Sequence, residues 1–150
     1  MRINTHQFLE IIKDTPLVSI DLIPLNNRNE CLLGFRKNKP AQSYWFVPGG
    51  KILKDERIAD AITRIAKAEL GIDLNARDAH FKGVYEHLYP DNFTGKPGIS
   101  THYIVLAHEF TLPEGAQIRG DDQHSDLRWW SIPELLASPD VHENTKAYFR

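Results

Sequence analysis

GKILKDERIADAITRIAKAELGI, residues 50–72, is the stretch that decides the fold. Between Arg57 and Leu70 apolar residues recur with a helical period, and Gly71 follows as the residue a helix C-terminus favours. At 100° per residue, Ile58, Ile62, Ile65 and Glu69 fall within about 60° of one another, with Ala61 beside them. Glu69 therefore stands inside the stripe that should face the protein, while Asp60, Arg64 and Lys67 take the opposite side. That position is doubly unfavourable for an anion, because it is buried and lies at the negative end of the helix dipole. Something positive must compensate: an internal arginine or a divalent cation. The helix alone leaves both open.

The residues just upstream, WFVPGG, favour the cation. A strand ending in Pro-Gly-Gly exposes carbonyls and lets another group approach closely. Hard cations such as Mg²⁺ take carbonyl and carboxylate oxygen, so the Gly49 carbonyl and Glu69 suit one ion.

Working outward, LVSIDLIPL (17–25), CLLGF (31–35) and YWFVP (44–48) read as strands separated by turn material. FKGVYEHLY and HYIVLAHEF resume that pattern around the long loop PDNFTGKPGIS, and LRWW reads as a last short strand. THQFLEIIK predicts a helix capped by Asn4 or Thr5 with Phe8, Ile11 and Ile12 on one face. Ser131 and Glu134 form the S-x-x-E of a capping box opening SIPELLA, and a final weak helix is expected at about 141–149. The pattern predicts an α+β sandwich with a mixed sheet.

With 150 residues, 41% of them hydrophobic, the chain is expected to fold as one domain spanning 1–150. A net charge of -2 with no Lys/Arg run argues against nucleic acid held through its phosphates. The single cysteine, Cys31, excludes an intrachain disulfide and reads as a small buried apolar residue. No segment matches a secretory signal or membrane span, so a soluble cytoplasmic protein is expected.

The order Gly50, five residues, Glu56, seven residues, Arg64, then Glu69 and Gly71-Ile72 resembles the Nudix hydrolase box. The usual box has Arg-Glu and then Glu-Glu; here those pairs are Arg64-Ile65 and Ala68-Glu69, so two carboxylate positions are vacant. The entry TPLVSIDLIPL, the segment KPAQSYWFVPGGK, the retained AELG, DNF followed by THY, and DDQH before the tryptophans resemble one Nudix branch with the same loss, the GDP-mannose mannosyl hydrolases. The likeness runs along nearly the whole chain. It implies a Nudix α/β/α sandwich with a short N-terminal helix.

The chemistry that follows differs from that of ordinary Nudix enzymes. Box glutamates there hold several ions and help water attack phosphorus, whereas Ile65 and Ala68 weaken both functions. Cleavage at the anomeric carbon of a nucleotide sugar needs less: neutralisation of the departing diphosphate, stabilisation of an oxocarbenium-like sugar and one base for water. The resemblance implies GDP-mannose or a related GDP-hexose as substrate. It implies Mg²⁺, with Mn²⁺ a second candidate, held by the Gly49 carbonyl, Glu69 and Gln123, and His124 as general base.

It further places Arg36 on the diphosphate and Asp21 where it steadies the cationic transition state or orients the site, with His87 and Tyr103 near substrate. Arg64 would orient a metal-binding glutamate or pair on the surface, and Glu56 is structural. Arg2, Ile3 and Phe8 match residues that approach the nucleotide across a homodimer interface, Phe8 stacking on guanine. Lys51 stands where arginine is usual in the branch, which turns a bidentate phosphate contact into a point charge. The KPGIS part of the long loop also departs from the branch. Two other readings are an ordinary Nudix attack on phosphorus and a Nudix domain that binds nucleotide sugars without turnover.

Overall fold

The structure, a computed structural model, describes residues 3–113, 115, 116, 118 and 124–150, the side chains of His124 and Ser125 excepted. Its elements run α1 (Thr5–Asp14), β1 (Leu17–Leu25), β2 (Glu30–Arg36), β3 (Trp45–Phe46), β4 (Gly49–Lys51) and α2 (Ile58–Leu70). Then come β5 (His80–Tyr89), β6 (Thr101–Thr111), β7 (His124–Ser131), α3 (Ile132–Ala137) and α4 (Glu143–Lys146), the last running into a 3₁₀ turn at Ala147–Phe149.

The sheet is mixed. Its order is β3-β2-β1-β6-β5, with β4 paired to β1 and β7 to β2. β1 is the hub, lying parallel to β6 along its whole length and antiparallel to β4 through Ser19↔Lys51, Ile20↔Gly50 and Asp21↔Gly49. Side chains alternate across the sheet and so divide between two cores. Ile20, Leu22 and Leu32 pack under Ile62, Ile65 and Leu70 of α2, whereas Ile23, Cys31 and Leu33 pack against Trp130, Leu135 and Tyr148. The result is the expected α/β/α sandwich. Cys31 is fully buried, and burial holds its thiol far above its ordinary pKa.

Several elements differ from their expected form for local reasons. YWFVP is strand only at Trp45–Phe46, which pairs with β2; after Val47 the chain crosses to β1, where the Pro48 carbonyl accepts from the Leu22 N–H at 2.8 Å and β4 follows at Gly49–Lys51. β7 is longer than LRWW because its polar first half pairs with β2 on one side, ending at Arg36↔His124. Ile58 is 47% exposed rather than part of the buried stripe, since it opens the first turn of α2 before the helix meets the sheet. Ile11 is likewise exposed, and Phe8, Leu9 and Ile12 form the inner face of α1. Asn4 is the cap, its Oδ1 accepting from Gln7 N–H. The Ser131 hydroxyl caps α3, but Glu134 pairs with Arg128 instead of completing the box. Among the described residues no helix is long and apolar enough to cross a membrane.

Candidate functional site

β1, β4 and α2 meet at one place, and the cleft opens there. At the Asp21↔Gly49 pair the two backbones come so close that a methyl group on Gly49 would overlap Asp21 Oδ1 and stand 2.6 Å from the Ile20 carbonyl oxygen. In an antiparallel ladder only alternate pairs exchange hydrogen bonds. Leu22 bonds to Pro48 and Ile52 to Val18 across this ladder, so Gly49 and Lys51 lie at the pairs that do not, with their carbonyls turned away from β1. The Lys51 carbonyl is taken at 2.9 Å by Arg64 of α2. The Gly49 carbonyl points the same way, one pleat nearer the cleft.

α2 lies directly against this strand, with Ile65 Cγ1 3.2 Å from where a Gly50 methyl would stand. One turn further, Glu69 is only 7% exposed and lines the cleft. A backbone carbonyl and a buried carboxylate facing one cavity are hard oxygen donors of the type Mg²⁺ and Mn²⁺ accept. They bring a single negative charge between them. Among the described residues no group of three or more His, Cys, Asp and Glu side chains is placed to hold a metal ion.

The cavity measures about 780 Å³, within the usual range for small-molecule sites. Asp21, Arg36, Lys51, His87, Tyr103 and Phe8 border it together with Gly49 and Glu69. His87 and Tyr103 are cross-strand partners in the β5–β6 ladder. Arg36 leaves the end of β2 with its guanidinium 5.9 Å from the Phe46 ring centre, its Nε donating to the Asn38 carbonyl at 3.0 Å. Lys51 Nζ lies 4.7 Å from the centre of the Phe8 ring, and that ring meets Phe93 at 5.2 Å. Burial and the nearby Arg64 depress the Lys51 pKa.

Other assigned residues stand apart. Ile3 is exposed and borders no part of the cavity. Arg2 and Gln123 lie outside the described residues, as does the side chain of His124, whose backbone pairs with Arg36. Arg64 forks onto Glu56, with Nε and Nη2 donating at 2.7 and 2.9 Å, and the same carboxylate accepts from Leu53 N–H. Glu56 thus has a structural part, and Arg64 ties α2 to β4 and to the loop before the helix.

The family described as the NUDIX domain matches residues 15–150 of this architecture. The chain belongs to the Nudix hydrolase family. Among curated relatives of this Nudix chain is the low-salt glycan biosynthesis protein Agl8 of Haloferax volcanii, 39% identical over 133 residues, 88% of this chain and 81% of that one. Among solved structures, the MutT protein of Methanosarcina mazei superimposes with a TM-score of 0.72 at 20% identity, covering 91% of this chain and 92% of that one. The MutT Nudix hydrolase of Burkholderia pseudomallei gives 0.71 at 24%, covering 90% and 96%.

Three residues that the sequence pattern did not single out border the Nudix site or hold its wall in place. Tyr148, from the C-terminal 3₁₀ turn, donates its hydroxyl to Asp21 Oδ2 at 2.5 Å and lies 3.4 Å from His87 Nε2. Tyr89, nearly buried at the cavity wall, has its pKa pushed up to about 12 by that burial. Asn92 is fully buried in the long loop, where its amide nitrogen donates to the Lys96 and Ile99 carbonyls and its oxygen accepts from the Thr94 N–H and hydroxyl. Those four bonds shape the loop that carries Phe93 and Thr94 to the cavity. Only an alternation from polar to apolar around DNF hints at them.

Burial raises the Asp21 pKa to about 7, with the Tyr148 hydrogen bond and Arg36 opposing the rise, and lowers that of His87 to about 4, His142 adding to the effect. Between pH 4 and 6.5 the folded Asp21 binds a proton that the unfolded residue has lost, so its contribution weakens stability as pH rises. His87 does the reverse: the unfolded imidazole is protonated there and the folded one is neutral. Each slope is at most about 1.4 kcal/mol per pH unit, and the two nearly cancel. Asp21→Asn should therefore make stability climb between pH 4.5 and 6.5, and His87→Gln should make it fall. Urea denaturation across that range measures both, and parallel profiles for the two variants would refute the assignment.

Proposed function

We propose that this Nudix chain hydrolyses GDP-mannose or a related GDP-hexose to GDP and free sugar, with water attacking the anomeric carbon and inverting it. The observation that carries this is the composition of the box. Ile65 is 2% exposed and packed on Gly50, and Ala68 occupies the other vacant position, so the carboxylates that serve attack on phosphorus are replaced by hydrocarbon. The relative's name, a glycan biosynthesis protein, fits a sugar-bearing substrate.

Gly49 through its carbonyl, Glu69 and Gln123 would hold Mg²⁺ or Mn²⁺. The ion, when bound, supplies charge neutralisation on the departing diphosphate. Arg36 and Lys51 add positive charge around the same group, with Arg36 suited to a bidentate contact and Lys51 to a point contact. Asp21, on the cavity wall, would stabilise positive charge on the sugar ring when ionised, and His87 and Tyr103, cross-strand neighbours that line the same cavity, would contact the sugar. His124 takes the proton from the attacking water at a ring nitrogen. With one base on the face opposite the leaving group and no carboxylate assigned as nucleophile, the product is inverted. Arg2, Ile3 and Phe8 would approach guanine in a homodimer, and a cytoplasmic location suits a nucleotide-sugar substrate.

Hydrolysis in ¹⁸O water tests the reading. Label in the sugar supports attack at carbon; label in phosphate, with a nucleoside monophosphate and a sugar phosphate as products, replaces it with ordinary Nudix chemistry. Glu69→Gln preserves shape while removing the anion, so the Mg²⁺ concentration for half-maximal activity should rise by about tenfold or more, with thermal stability little changed. Unaltered Mg²⁺ dependence would remove Glu69 from the metal site.

A further inference from the structure

Asp21 on β1 and His87 on β5 are separated in the sheet by β6, yet one side chain from the far end of the chain touches both. Tyr148 is 2% exposed, and its ring stands edge-on to Tyr85 with centres 4.7 Å apart and planes at 86°. It does not border the cavity, whereas Asp21 and His87 both do. The phenol has one proton and two lone pairs. Where Asp21 is ionised, its Oδ2 at 2.5 Å is the nearer acceptor, and a carboxylate is a stronger acceptor than a ring nitrogen at 3.4 Å, so the proton points to Asp21. The phenol oxygen then offers His87 only a lone pair. A hydrogen bond between them requires the proton on Nε2.

We propose that Tyr148 is a positioning residue that fixes the Asp21 carboxylate and sets His87 in the tautomer protonated at Nε2. That tautomer leaves Nδ1 as the acceptor of the ring. A neutral imidazole accepting at Nδ1 suits a hydroxyl donor, such as a sugar hydroxyl, and not a phosphate oxygen. The burial that keeps His87 neutral agrees with this role. The consequence for turnover rests on the proposed hydrolase function, whereas the tautomer does not.

The test uses the full chain and its Tyr148→Phe variant, which keeps the ring and loses the hydroxyl. Long-range ¹H–¹⁵N spectra of the wild type at pH 8.5, where Asp21 is ionised, should show His87 protonated at Nε2, and the variant should lose that preference. With GDP-mannose and Mg²⁺, at a temperature where the variant is folded, its kcat should fall about tenfold while KM stays within about twofold. A wild-type His87 protonated at Nδ1, or a variant with wild-type kcat, overturns the proposal. The wild-type spectrum decides the tautomer even where the variant folds poorly. A wild-type protein that releases no GDP from GDP-mannose overturns the function instead, and the spectrum, which needs no substrate, still stands.

Discussion

Replacing His124 with alanine is expected to lower turnover of GDP-mannose by about 10²- to 10⁴-fold, the usual contribution of a general base. The proposed reaction asks little else of proton transfer, because a diphosphate leaves as a stable anion without a protonating acid. One base therefore carries the whole proton-transfer demand. An imidazole with an ordinary pKa of about 6.5 accepts a proton near neutrality without environmental tuning. The backbone of His124 pairs with Arg36 in the β2–β7 ladder, next to Gln123 in sequence. Arg36 borders the cleft, so this register brings the strand bearing the proposed base beside a residue of the cavity wall. The check is kcat for GDP release by His124→Ala, with GDP affinity measured alongside. Wild-type turnover with intact binding would mean that another group activates water.

The parts of this molecule legible in the sequence are those set by local periodicity. β1 spans the run LVSIDLIPL, and α2 runs to Leu70 with Gly71 in the left-handed conformation at φ 68, because alternation, helical period and glycine each act over a few residues. Glu69 was visible for the same reason: a carboxylate in an apolar stripe needs no tertiary knowledge to look misplaced. Asp21 stands out in the same way, as a carboxylate interrupting the apolar run LVSIDLIPL. Its hydrogen-bond donor does not, because Tyr148 lies 127 residues away in a segment that reads only as a weak helix. The end of the strand after Phe46 was hidden too, since Val47 is as good a strand former as Trp45 and Phe46 and only the change of pairing partner from β2 to β1 ends it. Asn92 looked like loop material because an asparagine that satisfies four backbone and hydroxyl groups has the same letter as one that faces water.

Gly49→Ala is expected to be the most damaging small substitution in the chain, and Gly50→Ala beside it is its control. A methyl at 49 meets Asp21 Oδ1 and the Ile20 carbonyl, the latter at 2.6 Å, and neither can yield without moving β1 or displacing the carboxylate. A methyl at 50 meets only side-chain atoms of Ile65, Cγ1 at 3.2 Å and Cδ1 at 3.4 Å, which need give by no more than a few tenths of an ångström. Gly49 is not among the glycines with positive φ, so its penalty comes from contact and not from backbone strain. Overpacking of this kind costs about 1–3 kcal/mol, and the hub strand of the sheet leaves little room for relief. The larger effect falls on activity. The same displacement moves the Gly49 carbonyl, proposed to hold the metal, together with Asp21, and a shift of about 1 Å at a reacting centre costs on the order of 10²-fold in rate. Urea denaturation and Mg²⁺-dependent GDP release, measured on both variants, separate the two consequences. Gly49→Ala should lose both stability and turnover, while Gly50→Ala keeps most of each. Equal losses in the two variants would show that the Asp21↔Gly49 contact does not govern the geometry of the site.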